Sequence, residues 1–115
     1  MPTMRMIVNW VGDESNLEDR PSSLDVMILR NSSSYAVETI TAQEGWQHDW
    51  LVQNQRYTDT FTARITTQTA KYNFSYEDTT SGDFWNGIHI TTVTATYIPR
   101  PEPERINVSA EVVFY

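Results

Sequence analysis

The sequence predicts an all-β domain, an antiparallel β-sandwich of about seven or eight short strands, and three observations carry that expectation. Apolar residues recur at every second position in successive short runs. Clusters of turn-forming residues separate the runs, and no stretch of helical length carries a 3.6-residue period.

Each element can be justified in chain order. Met4, Met6, Val8 and Trp10 alternate in the first run, Leu24, Val26 and Ile28 in the second, and Trp46 and Trp50 share parity in a third. Tyr57, Phe61, Ala63 and Ile65 then take one face, with Thr58, Thr60, Thr62, Arg64 and Thr66 on the other, as in a sheet wet on one side. Tyr72, Phe74 and Tyr76 follow. Ile88 and Ile90 set a phase that Val93, Ala95 and Tyr97 leave, which predicts a bulge or sheet switch near Thr91 and Thr92. Turns are expected at Asn31 to Ser34, Glu44-Gly45, Ser81-Gly82-Asp83 and Asn86-Gly87. The sandwich is thus assigned to residues 1–98 and a Pro-rich linker, containing "RPEPE", to 99–104. Over 105–115, Ile106, Val108, Ala110, Val112 and Phe114 alternate as one more strand, which closes the sheet, starts a following repeat or pairs with another copy.

Composition narrows the function. The chain's 115 residues suit one core. A net charge of -7 and a pI near 4.6 exclude nucleic acid and anionic membrane surfaces as partners, because both repel an acidic protein. There is no cysteine for a disulfide framework. No apolar run approaches the roughly 20 residues of a membrane span, so no membrane insertion by this segment is expected. "MPTMRM" lacks the apolar stretch of a signal peptide, leaving a cytosolic protein or a piece of a longer chain.

Candidate chemistry is sparse. Asp13, Glu14, Asn16, Glu18 and Asp19 offer hard oxygens of the kind Ca²⁺ takes. Their order breaks an EF-hand pattern at its third ligand and no Gly follows, so the loop is expected to be solvated, with Arg20 paired to a neighbouring carboxylate and no metal bound. Pro21 fixes the entry to the next strand. His48 shares the parity of Trp46 and Trp50, whereas His89 opposes Ile88 and Ile90, and neither forms a zinc motif. No nucleophile elbow, phosphate loop or paired acid/base carboxylates are present, so neither an enzyme nor a cofactor is expected. The aromatic residues are the better lead. Trp10 and Trp46 are expected in the core, while Phe84 and Trp85 in "YEDTTSGDFWNG", together with Trp50, are candidate ligand contacts on which a sugar ring or peptide could stack.

The stretch "W-x-G-D-x-x-N-x-x-x-R-P-x-S-L-x-V-x-I-L-R", Trp10 to Arg30, resembles the opening of a Cna B-type repeat. "ITAQEGWQHDW", Ile40 to Trp50, resembles that family's Gly-Trp strand entry, and "YTDTFTARIT" and "GIHITTVTATY" sit where its later strands fall, so the likeness covers about residues 5 to 98. It implies a prealbumin-like or Ig-like sandwich from the tandem stalks and pilins of Gram-positive surface proteins, extracellular and cell-wall attached. Many such repeats carry an internal isopeptide bond in which a buried, uncharged Lys condenses with an Asn beside a protonated acid. Here the matching positions hold Val8, Ile65 and Thr92, and the one lysine, Lys71, is expected on a solvated face. The cross-link is therefore expected to be replaced by packing.

Two functions follow from the resemblance and the residues. One is a structural stalk spacer flanked by neighbouring repeats of its parent chain. The other is an adhesive module binding a host matrix protein or glycan through Phe84 and Trp85 or through an exposed edge strand. In a variant of the second, residues 106–115 are donated to another copy, giving a strand-exchanged homo-oligomer.

Overall fold

The computed structural model describes residues 1–82 and 86–99. The expected linker from Arg100 onward, the expected strand over 105–115, and Phe84 and Trp85 lie outside the described residues. Seven strands form: β1 (Thr3–Val11), β2 (Ser23–Arg30), β3 (Ser33–Thr41), β4 (Gln47–Leu51), β5 (Phe61–Ile65), β6 (Tyr72–Ser81) and β7 (Ile88–Tyr97). Single 3₁₀ turns at Leu17–Asp19 and Ala42–Glu44 are the helical elements among the described residues.

The strands make a four-stranded sheet in the order β4-β1-β7-β6 and a three-stranded sheet in the order β3-β2-β5. Met4, Met6 and Val8 of β1, Leu24, Val26 and Ile28 of β2, Phe61 and Ala63 of β5, and Val93 and Ala95 of β7 fill the space between the sheets. Alternation produces this directly, since successive side chains of a strand point to opposite faces. Burying each Val, Leu or Ile fully contributes about 1.5–3 kcal/mol.

Pairing is antiparallel except between β1 and β7, which run parallel from Thr3↔Ile88 to Val11↔Thr96. The chain therefore enters at one pole of the sandwich and leaves at the other. The entry pole holds Pro2, the β2–β3 turn and the β4–β5 connection; the exit pole holds the β1–β2 loop and Tyr97.

Three expectations need correction. β7 has no bulge or sheet switch: its register with both β1 and β6 is unbroken, and His89, Thr91, Val93 and Ala95 form its buried face. Ile88 and Ile90 are the residues on its half-exposed outer face. Hydropathy misreads the phase because two polar side chains are wanted inside. Thr91 Oγ1 accepts a hydrogen bond from the Ala63 N–H at 3.0 Å, and His89 Nδ1 lies 3.5 Å from the Phe61 N–H. Tyr76 OH accepts from the Ile65 N–H at 3.1 Å. These three donors lie on the outer edge of β5, so side chains of the opposite sheet satisfy an edge that would otherwise be open. The register shift that does occur falls between Ile28 and Leu29.

Tyr57, second, is no strand residue. It lies in the connection before β5 and is 57% exposed. Third, the turn expected at Asn31 to Ser34 closes in two residues, Asn31 and Ser32, at φ 52° and 69°, with Arg30 opposite Ser33. Two successive positive φ values define the tight turn whose twist suits a hairpin. β3 then begins at Ser33. It escapes the periodicity because Ile40 is its one buried residue, while Tyr35 and Ala36 are half-buried side by side and Val37 is exposed.

Thr91 tests this edge closure. Thr91→Val should destabilise the domain by about 1–3 kcal/mol, because it strands the Ala63 N–H and removes a donor to Asp78. Thr91→Ser, which keeps the hydroxyl, should lose clearly less, and the urea midpoints of the two variants decide it.

Candidate functional site

The acidic β1–β2 loop folds back onto the exit pole. Gly12, at φ 86°, turns the chain out of β1 in a conformation other residues adopt at a cost. The next side chain, Asp13, is fully buried. Arg20 grips it with two hydrogen bonds, Nε to Oδ2 at 2.6 Å and Nη2 to Oδ1 at 2.9 Å, and the Tyr72 hydroxyl donates to Oδ2 at 2.8 Å. The Arg20 hydrogen bonds outweigh desolvation and, with Tyr72, hold the Asp13 pKa down to about 2. Burial first, then the hydrogen bond to Asp13, pushes the Tyr72 phenol well above its usual range.

Asp19 makes the second anchor. It receives Tyr97 OH at 2.6 Å and Lys71 Nζ at 3.0 Å. Trp10 packs at the same pole, edge-on to Trp46 at 5.0 Å and to Tyr72 at 4.8 Å, with the Arg20 guanidinium 5.3 Å from its ring centre. Its buried indole N–H has no hydrogen-bond partner among the described residues.

This geometry uses the loop's carboxylates internally. Asp13 and Asp19 hold Arg20 and Lys71, Glu14 and Glu18 point to solvent, and the Asn16 N–H bonds the Asp13 carbonyl at 2.8 Å. Among the described residues no three His, Cys, Asp or Glu side chains group as metal ligands. Val8 is buried and stands opposite Val93, Ile65 is half-buried on β5, and Thr92 pairs with Ile7 on the outer face of β7. The inward residue beside Val8 is therefore Val93 rather than Thr92, and none of these side chains offers an amine, amide or carboxyl group. Lys71 is half-exposed and committed to Asp19.

The remaining candidates are dispersed. Trp50, expected as a possible ligand contact, is a core residue with 9% of its surface exposed, and Trp46 is equally buried. His48 pairs with Glu44 and lies against Trp50 with ring centres 4.7 Å apart. His89 is buried against Phe61, and desolvation holds its pKa below the usual imidazole value. The Thr80 hydroxyl lies 3.3 Å from His89 Nδ1. A feature not anticipated from the sequence lies at the entry pole: an open cleft of about 420 Å³ lined by Arg30, Tyr35, Gln53, Asn54 and Gln55. No motif marks it, because it is assembled from a strand end, a strand start and a loop.

No protein-family model matches the sequence, and no curated protein matches it. Among solved structures, the chain is similar to a single B repeat unit (B1) of the collagen-binding surface protein Cna of Staphylococcus aureus, with a TM-score of 0.58 and 16% identity. That match covers 80% of this chain and 50% of the other. A structure of two such units, B1B2, gives a TM-score of 0.57 at 15% identity, covering 78% of this chain and 24% of that one. The chain thus spans half or less of the solved chains it matches. Its seven-stranded, two-sheet sandwich is the Cna B-type fold.

The buried pair sets two expectations. Asp13→Ala should cost about 3 kcal/mol in urea unfolding, the low end for breaking a buried ion pair because Arg20 is a third exposed. Because folding depresses the Asp13 pKa, its stabilisation is complete above the ordinary carboxylate value of 3.8 and fades as pH falls through about 2. The stability gap between the wild type and Asp13→Asn should accordingly narrow between about pH 4 and pH 2 in a urea–pH titration.

Proposed function

We propose that this chain is a non-enzymatic spacer repeat of a longer bacterial surface protein, held outside the cell and joined to neighbouring repeats of the same parent chain. The observation that carries the proposal is the parallel pairing of β1 with β7. Chain entry and exit lie at opposite poles, separated by nine residue pairs, or about 26 Å of strand. Modules with that polarity extend a stalk when strung end to end.

The same pairing suits tension. A pull on the two ends loads β1 and β7 along their common axis, so the ladder hydrogen bonds are sheared together instead of opened in succession. Both strands are central in their sheet, flanked by β4 and β6. With Val8, Ile65 and Thr92 at the positions where the resemblance expects a covalent cross-link, this ladder and the core behind it supply the resistance. The likeness to B repeat units of a surface protein supports the same reading. The adhesive alternative loses Trp50 to the core, and its Phe84 and Trp85 lie outside the described residues.

Single-molecule pulling tests the proposal. Force applied through the two ends should unfold the domain at a clearly higher peak than force applied between cysteines introduced at Ser23 and Thr41, which are paired on β2 and β3 and would be peeled apart. The absence of native cysteine makes such handles unambiguous. An end-to-end peak equal to or below the peeling peak would remove the mechanical basis of the spacer reading.

A further inference from the structure

The cations of this acidic protein are distributed unevenly. Arg5, Arg20, Arg64 and Lys71 are ion-paired with Asp49, Asp13, Asp78 and Asp19 respectively. Arg30 and Arg56 make no ion pair among the described residues; Arg30 ends β2 and Arg56 lies in the β4–β5 connection, both at the entry pole. Arg30 lines the cleft, and Arg56, exposed, follows the lining residue Gln55 in the chain. In a chain of net charge -7, an arginine that lines a cleft without an ion pair, with Asp59 as its longer-range charge partner, marks a place where an anion meets positive charge.

The cleft is held in shape before any ligand arrives. Asp59, 4% exposed, accepts hydrogen bonds from Asn31 Nδ2 at 2.7 Å and from the backbone N–H groups of Gln55 and Arg56 at 2.6 and 3.0 Å. Asn31 Oδ1 in turn accepts from the Thr60 N–H at 3.0 Å, tying the β2–β3 turn to the loop. Asp59 thus holds the Asn31 side chain and the loop backbone, and its charge also acts on Arg30. The Tyr35 hydroxyl accepts from the Gln53 N–H at 3.0 Å and fixes the opposite wall. Preorganisation of this kind lowers the cost of binding.

The lining also specifies chemistry. Arg30 lies 5.1 Å over the Tyr35 ring, and its one side-chain hydrogen bond among the described residues, Nη1 to the Gln53 carbonyl, is long at 3.4 Å. Most of its planar fork is therefore available, in the geometry that takes a carboxylate through two parallel hydrogen bonds. The side-chain amides of Gln53 and Gln55 are exposed and make no hydrogen bond to the described residues. Each offers a donor and an acceptor side by side, which suits adjacent sugar hydroxyls, and the cleft has no apolar lining beyond the tyrosine ring to hold a peptide's side chains.

We propose that this cleft binds a carboxylated polysaccharide, with Arg30 taking a uronate carboxylate, Gln53 and Gln55 taking neighbouring hydroxyls, and Arg56 attracting the next acidic residue along the chain. This goes beyond the spacer role and is independent of it. A stalk module with such a pole would bind acidic glycan while still passing tension.

The test is calorimetric titration of the whole chain at low salt with a galacturonate oligosaccharide. Its methyl-esterified, uncharged form and a hexaglutamate peptide serve as comparison ligands. Saturable binding of the galacturonate is expected, at least tenfold weaker in Arg30→Gln, measurably weaker in Arg56→Gln, unchanged in Arg5→Gln and absent with the ester. Circular dichroism checks each fold. Gln55→Ala, exposed and without a hydrogen-bonded side chain, should also weaken binding and keeps the test decisive if Arg30→Gln is unstable. No galacturonate binding, binding indifferent to Arg30 and Gln55, or equal binding of hexaglutamate would overturn the proposal, the last by showing a charge-only acidic peptide site.

Discussion

A fully buried carboxylate, Asp13, organises the exit pole. Where β1 leaves the four-stranded sheet and the chain crosses to β2 in the other, an unsupported loop would leave polar backbone over the open end of the core. Arg20 and Tyr72 saturate the Asp13 oxygens, which fastens both ends of the loop to β6. Asp19 repeats the device on Lys71 and Tyr97. Removing the carboxylate leaves a guanidinium and a phenol without their acceptor in low dielectric, which is why a buried pair costs so much more to break than a surface one. Trp10 fills the space beneath, and its ring packing depends on Arg20 and Tyr72 staying where Asp13 holds them.

The three-stranded sheet raises a second physical problem, because its edges expose backbone donors. On the β5 side the remedy comes from the other sheet. His89, Thr91 and Tyr76 reach across to the N–H groups of Phe61, Ala63 and Ile65. Thr91 also donates to Asp78 at 2.6 Å, which Arg64 holds in a two-point contact. A polar residue inside a core is tolerated when all its hydrogen-bonding groups are used, and here that use closes an edge. The arrangement also ties the two sheets together along the side opposite β3.

Function separates along the same axis. Adjacent parallel central strands place the chain's entry and exit at opposite poles, the polarity of a spacer. The exit pole turns Asp13 and Asp19 inward onto Arg20 and Lys71 and leaves Glu14 and Glu18 to solvent. Among the described residues the entry pole retains Arg30 and Arg56 without ion pairs, and Arg30 with exposed amides lines a cleft beside Asp59. Under the two proposals, one module would extend a stalk through its strands and bind an anionic sugar at one end.

Much of the fold was legible in the residues themselves. Alternation at Met4 to Trp10, Leu24 to Ile28 and Phe61 to Ile65 determined that strands form and which faces are buried, because strand periodicity and desolvation act locally. Composition excluded disulfides, and the residue types at Val8, Ile65 and Thr92 excluded a lysine–asparagine cross-link among them. The chain alone could not reveal that β1 and β7 pair in parallel, since alternation is the same in either direction. Nor could it show that His89 and Thr91 face inward, because their reason lies in the N–H groups of a strand 28 residues away. Trp50 looked like a contact and proved to be core for the same cause: burial is decided by what packs opposite. The cleft is the extreme case, as Arg30, Tyr35 and Gln53 to Gln55 become one surface only when three separate segments meet at the same pole, and long-range packing alone brings them there.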